Sequence, residues 1–204
     1  LAALFGPEGA LARARSGWEP RPPQEAMAGA VWQSLERGGD LVVEAGTGVG
    51  KSLAYLLPAA LWAATRDRRV IVSTHTRALQ EQLLNHELPT AARAMEALGL
   101  PLRYAMLMGA DNYLCVQRLS RLRARPDAVS ETGKETLERL DAWTRDAQSG
   151  HRSNLPELIA QNMWDRVARD TDLCMGQGGP YWDRCLWRRD RERADRAHIL
   201  VVNH

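Results

Sequence analysis

Cysteine is scarce in this chain of 204 residues, with only Cys115, Cys174 and Cys185 present. That is not the density of a disulfide-stapled secreted domain, so no disulfides are expected. No apolar run approaches the ~20 residues needed to cross a bilayer, and no signal peptide opens the chain. These absences predict a reduced, soluble, cytoplasmic protein with no membrane partner. A charge excess is also missing: 27 basic against 25 acidic side chains leave a formal net charge of +2, so any nucleic-acid surface has to be local. Hydrophobic residues make up 45% of the chain, enough to bury a core and to argue against disorder. There is no internal repeat and no low-complexity tract. The chain starts at Leu1 rather than Met and carries the apolar run Ile199-Leu200-Val201-Val202 close to its end; it reads as a fragment.

What is present alternates between two periodicities. Residues 1–15 are compatible with a short helix, and 18–23 (Trp18-Glu19-Pro20-Arg21-Pro22-Pro23) are expected to be extended, because each proline fixes φ and biases its predecessor away from helix. In residues 24–37, Met27, Val31 and Leu35 recur four apart, the spacing of one buried helical face, and Gly38-Gly39 ends the pattern. Leu41-Val42-Val43-Glu44 predicts a short buried strand, 51–65 a helix, 69–73 a second buried strand, 76–86 a helix and 103–107 a third strand. Strands alternating with helices predict an α/β fold with a parallel sheet covered on both faces. From Asp111 to Ala197 nothing resembles a central strand, and a β pattern returns only at 198–202. The economical division is 1–108 as the first part of the α/β domain, 109–197 as a mostly helical insertion and 198–204 as a return strand, one whose exposed edge is expected to fray or pair elsewhere.

Ala45-Gly46-Thr47-Gly48-Val49-Gly50-Lys51-Ser52 lies between the first expected strand and the next helix, the context of a phosphate-binding loop. Glycines let backbone N–H groups turn toward phosphates, and the helix N-terminus adds positive potential. Lys51 meets the β- and γ-phosphates, and Ser52 can ligate Mg2+. A strict loop starts with glycine where this chain has Ala45. Upstream, Gln24 offers an amide that can read an adenine edge by paired hydrogen bonds.

Trp18-Glu19-Pro20-Arg21-Pro22-Pro23-Gln24, Val43 through Ser52, Ser73-Thr74-His75-Thr76-Arg77-Ala78-Leu79-Gln80-Glu81-Gln82, Asn112-Tyr113-Leu114-Cys115 and Ala197 through His204 resemble, in order, the landmarks of the XPD/DinG family of superfamily 2 DNA helicases, in its bacterial DinG-like branch. The resemblance implies a RecA-like first motor domain carrying an iron–sulfur insertion. It also implies ATP and Mg2+ as cofactors, single-stranded or forked DNA as partner, 5′-to-3′ ATP-driven unwinding, and work in repair or replication-linked unwinding. It leaves the oligomeric state undefined. It casts Gln24 as the adenine-reading residue and Gly46, Thr47, Gly48, Val49, Gly50, Lys51 and Ser52 as the ATP-binding loop, with Lys51 and Ser52 acting in catalysis. The segment holding Thr74, Arg77 and Gln80 resembles one that faces single-stranded DNA.

The resemblance also implies a four-iron cluster held by four cysteines. Cys115, Cys174 and Cys185 fall on three of those places, and the fourth is Gly179, which has no ligand atom. A chain without the cluster would be a nucleic-acid-binding or redox-sensing module lacking motor activity. The insertion carries Trp143, Trp164, Tyr181, Trp182 and Trp187 among arginines that include Arg188, Arg189 and Arg191. Such aromatics either stack on bases or form the core of a small helical domain, and the arginines either follow phosphates or belong to a solvated shell. The Asp-Glu-x-His box that the family uses for hydrolysis does not occur in these 204 residues, so no ATP turnover is expected from them alone.

Overall fold

A computed structural model describes residues 1–203, with every side chain except that of Arg77. The DNA-contact expectation for Arg77 and the end of the return strand at His204 therefore lie outside the described residues. The chain divides into two compact units, one formed by 1–106 with 196–204 and the other by 107–195.

The first unit opens with two short helices, α1 (Ala2–Phe5) and α2 (Ala10–Ala14), whose Leu4, Phe5 and Leu11 are at most 1% exposed. Helix α3 spans Pro22–Arg37. Pro22 and Pro23 thus form its first turn rather than an extended lead-in: a first-turn N–H has no intrahelical acceptor, so proline loses nothing there. Its buried line also differs from the expected one. Gln24 and Ala28 are fully buried, while Met27, Val31 and Leu35 are only half-buried.

Residues 41–44 do not form a strand. No strand among the described residues pairs with them, and a β-run without a ladder leaves its side chains in solvent: Val42 is 95% exposed. Helix α4 (Lys51–Arg66) follows and is the apolar centre of the unit, burying Leu53, Leu56, Leu57 and Ala60. Strand β1 (Val70–Thr74) runs into helix α5 (Arg77–Gln82), a π-helical turn (Leu83–Glu87) and helix α6 (Leu88–Glu96). The helix expected over 76–86 therefore continues about one further helix, and the π turn falls where Pro89 has no N–H to return to the preceding turn.

Strands β2 (Tyr104–Leu107) and β3 (Ile199–Asn203) complete a sheet of order β1-β3-β2. β1 and β3 are parallel, with Val70 opposite Ile199 and Val72 opposite Val201. The return strand is consequently the centre of this sheet, not a frayed edge: Ile199 and Val201 are 0% exposed. Together with α4 and α6 it closes one apolar core.

The second unit is helical: α7 (Val116–Arg123), α8 (Glu131–Asp146), α9 (Gln161–Val167) and α10 (Leu186–Asp195). It has its own core of Leu114, Leu119, Leu137, Leu140, Trp164 and Leu186. Cation–π contacts surround that core, with Arg152 over Trp164 and Arg169 over Trp187 at 5.0 Å each. Tyr113, 1% exposed, sits edge-on to His151 and Trp187, and its hydroxyl accepts the Met108 N–H at 3.2 Å. Burial pushes its phenol up to about 12. Asp190 is 6% exposed; its carboxylate accepts Ser149 Oγ and the Gly150 N–H at 3.0 Å each and pairs with Arg193, tying the 147–151 loop to α10.

No helix among the described residues is long and apolar enough to cross a membrane.

Candidate phosphate-binding site

The loop before α4 is shaped by two left-handed glycines, Gly48 (φ 80°) and Gly50 (φ 83°, ψ 36°), the latter capping the helix. A side chain at either would be strained. At Gly50 it would also collide, because a Cβ there would lie 2.3 Å from Gln24 Nε2. That closeness is functional packing: Gln24 Nε2 donates to the Gly50 carbonyl at 2.8 Å, and the Gln24 side chain is 2% exposed.

The two ends of this amide are used differently. The nitrogen is spent on the loop, whereas Gln24 Oε1 is buried without a hydrogen-bond partner among the described residues. An unpaired buried acceptor costs about 1–3 kcal/mol, and a ligand donor, such as an exocyclic amino group, would relieve that cost.

Lys51 folds back over the loop, its Nζ donating to the carbonyls of Ala45 at 2.9 Å and Gly46 at 2.7 Å. Arg21 Nη1 donates to the Gly48 carbonyl at 2.7 Å. Three side chains, from α3, the residue that caps it and α4, thus hold four loop carbonyls. One turn along α4 from Ser52 lies Tyr55; burial pushes its phenol up, with Ser52 opposing the rise and Glu87 adding to it. Arg21 and Tyr55 had no role in the sequence reading. Arg21 stands inside the Arg-Pro-Pro-Gln run, but only the folded loop reveals that it reaches Gly48. Tyr55 lies one helical turn from Ser52, a spacing that could have flagged it.

The remaining candidates are more enclosed. Thr74 (5% exposed) ends β1 and Gln80 (1% exposed) lies on α5; neither Thr74 Oγ1 nor Gln80 Nε2 has a hydrogen-bond partner among the described residues. Thr76 caps α5 by accepting the Leu79 N–H at 3.3 Å. Asn203 Nδ2 donates to the carbonyls of His75 (3.2 Å) and Thr74 (3.4 Å), joining the ends of β1 and β3.

In the second unit, Arg188 lies 5.2 Å over Trp182 and pairs with Glu192 at 3.5 Å. Arg189 donates to the Ala147 carbonyl at 3.3 Å. Each also has a buried Nε without a hydrogen-bond partner among the described residues.

Cys115 precedes α7, Cys185 precedes α10, and Cys174 lies between them; all three are free and half-buried. Burial pushes the Cys185 thiol up, and Cys115 and Cys174 add to the rise. Gly179 is extended (φ −85°, ψ 142°), and a Cβ there would meet Met175 Cβ at 3.2 Å and Gln117 Oε1 at 3.4 Å. Among the described residues no group of three or more His, Cys, Asp or Glu side chains is arranged to hold a metal ion. With three thiols and a glycine, the residues present do not fit a four-thiolate cluster.

Residues 25–150 match the DEAD/DEAH box helicase family. The chain is 37% identical over 201 residues to ATP-dependent DNA helicase YoaA of Escherichia coli, covering 98% of this chain and 30% of that protein. It is 36% identical over 210 residues to ATP-dependent helicase DinG of Mycobacterium tuberculosis, covering 96% of this chain and 32% of that protein. A YoaA helicase of Haemophilus influenzae is 31% identical over 205 residues, covering 100% of this chain and 31% of that protein. The chain therefore spans about a third of the length of the curated relatives it matches. With a family match over more than half its residues and a glycine loop, lysine and buried glutamine in one site, this chain belongs to the DEAD/DEAH box helicases and is DinG-like among them.

Proposed function

We propose that this chain is the nucleotide-gripping part of the first motor domain of an ATP-dependent, 5′-to-3′ DNA helicase that acts in repair or replication-linked unwinding in the cytoplasm, with residues 109–197 as an insertion in that domain. The observation that carries the proposal is the linkage of Gln24, Gly50 and Lys51 around one glycine loop. Gln24 Oε1, the unpaired acceptor, suits the amino group of adenine and opposes the keto oxygen of guanine. Lys51 exchanges two loop carbonyls for phosphate oxygens, and the loop N–H groups and the α4 N-terminus complete an anion cradle. Ser52 offers its hydroxyl to Mg2+.

Among these residues, Lys51 and Ser52 are assigned to the reacting phosphates, and Gly46, Thr47, Gly48, Val49 and Gly50 to the cradle. DNA contact along 74–80 is assigned mainly to backbone groups, since Thr74 and Gln80 are enclosed. The second unit is assigned no four-thiolate cluster as the chain stands, because position 179 supplies no thiolate.

The test is equilibrium binding of Mg-ADP to residues 1–204. Binding is expected, with selectivity for adenine over guanine nucleotides, and Lys51→Ala is expected to weaken it by at least about 2 kcal/mol, the scale of charged hydrogen bonds to phosphate. ATP turnover is expected to be absent. An unchanged affinity in the lysine variant would overturn the proposal, and a Mg2+-dependent turnover that this variant abolishes would overturn only the expectation that ATP is not turned over.

A further inference from the structure

We propose that Arg21 is a positioning residue of the phosphate loop, acting through the Gly48 carbonyl to aim the Val49 N–H at a bound phosphate. The inference rests on the nucleotide reading above and extends it to a side chain outside the loop. A trans peptide is planar, with its C=O and N–H pointing in opposite directions, and no cis peptide occurs among the described residues. The side chain that captures the Gly48 oxygen therefore also sets the direction of the next amide. Arg21 Nη1 makes that capture at 2.7 Å.

Gly48 has the torsional freedom to turn either way, as its φ of 80° attests. Without an anchor this peptide would be the loose joint of the cradle. Gln24 performs the same service two peptide units further on, holding the Gly50 carbonyl at 2.8 Å and so leaving the Lys51 N–H on the opposite side, along the axis of α4.

Arg21 is well placed for the task. It is the residue immediately before α3, with an extended backbone (φ −128°, ψ 107°), and Pro22 and Pro23 behind it hold that geometry with little conformational freedom. Arg21 and Gln24 are three residues apart at the start of one helix, so a single rigid element fixes two of the loop's peptides. The phosphate cradle is then ordered before a nucleotide arrives, and less ordering free energy is lost on binding.

The test uses residues 1–204 with Mg-ADP and, separately, inorganic pyrophosphate, which has phosphates but no base. Arg21→Ala is expected to weaken both ligands about tenfold, the scale of one charged hydrogen bond. The loss is expected to persist at about 0.5 M salt, where simple attraction between an exposed guanidinium and an anion is screened. In the unsubstituted chain the Val49 amide resonance is expected to move on adding pyrophosphate, and this response to disappear in the variant while adenine-over-guanine selectivity stays unchanged. Two outcomes overturn the proposal: a loss that vanishes in high salt, or a pyrophosphate affinity that does not change, which, if Mg-ADP alone is weakened, would place Arg21 on the base side. If the unsubstituted chain binds neither ligand, the nucleotide reading itself has failed and Arg21 falls with it.

Discussion

At the scale of single residues, the chain shows how strongly one atom can decide a chemistry. Gly179 has a backbone that any L-residue adopts, so nothing in its conformation demands glycine. Its missing Cβ would meet Met175 and Gln117 at distances that ask those neighbours to yield by a few tenths of an ångström. The Gly176 carbonyl oxygen, 3.3 Å from that Cβ, would have to give as well, and a cysteine accommodated there would add a fourth sulfur to Cys115, Cys174 and Cys185. Gly179→Cys, reconstituted with iron and sulfide without oxygen, is expected to gain a broad absorption band near about 400 nm that the unsubstituted chain lacks or shows weakly. Equal spectra for the two proteins would remove position 179 from any cluster site. Gln24 makes the complementary point: it is polar, 2% exposed and half-satisfied. A buried unpaired acceptor is rarely retained without a ligand to complete it.

At the scale of elements, the pattern in the chain and the outcome agree where an element can bury a face by itself. α4 is apolar enough to be read from its residues alone. β1, β2 and β3 are short β-branched or apolar runs in the expected places. The reading fails at Leu41-Val42-Val43-Glu44, where the composition is that of a strand but a strand needs a ladder, and none is offered by the described residues. Val42→Lys is accordingly expected to change the urea-unfolding free energy of residues 1–204 by no more than about 0.5 kcal/mol, as for an exposed position. A loss of about 3 kcal/mol, as for a charge forced into a core, would mean that the run is buried in solution. The α5–π–α6 segment was equally hard to foresee. A helical pattern broken by Pro89 looks like a stop, yet the missing proline N–H is absorbed by widening one turn and the helix resumes.

At the scale of the molecule, two cores lie on one chain, and hydrogen bonds within the first unit join the residue before β2 to the segment that returns as β3. The Arg103 carbonyl accepts the His198 N–H at 2.8 Å, the Arg103 N–H donates to His198 Nδ1 at 3.3 Å, and Arg103 Nε donates to the Arg196 carbonyl at 2.8 Å. The chain thus returns to the first unit, at the start of β3, beside the residue that precedes β2, and a linker replacing what lies between has to run back along the length of β2. Replacing residues 107–195 by a flexible glycine–serine linker of about a dozen residues, the length a parallel crossover needs, is expected to leave a remainder that unfolds cooperatively and still binds Mg-ADP, because Gln24, the loop and β3 all remain. Loss of cooperative unfolding in that variant would show that the two units form one folding unit.

What the residues determined by themselves is local: a glycine loop before an apolar helix, a lysine and a serine at its end, cysteines at three places, and short β-runs, all set by torsional freedom and side-chain chemistry that no distant contact changes. What only the tertiary structure decided is which groups share a space. It placed Gln24 rather than Met27 in the buried line of α3, sent Arg21 to Gly48 across 27 positions of sequence, moved β3 from an edge to the centre of the sheet, and left Val42 in solvent. Each of these depends on a partner remote in the chain, and burial and hydrogen-bond satisfaction are properties of pairs, not of either member alone.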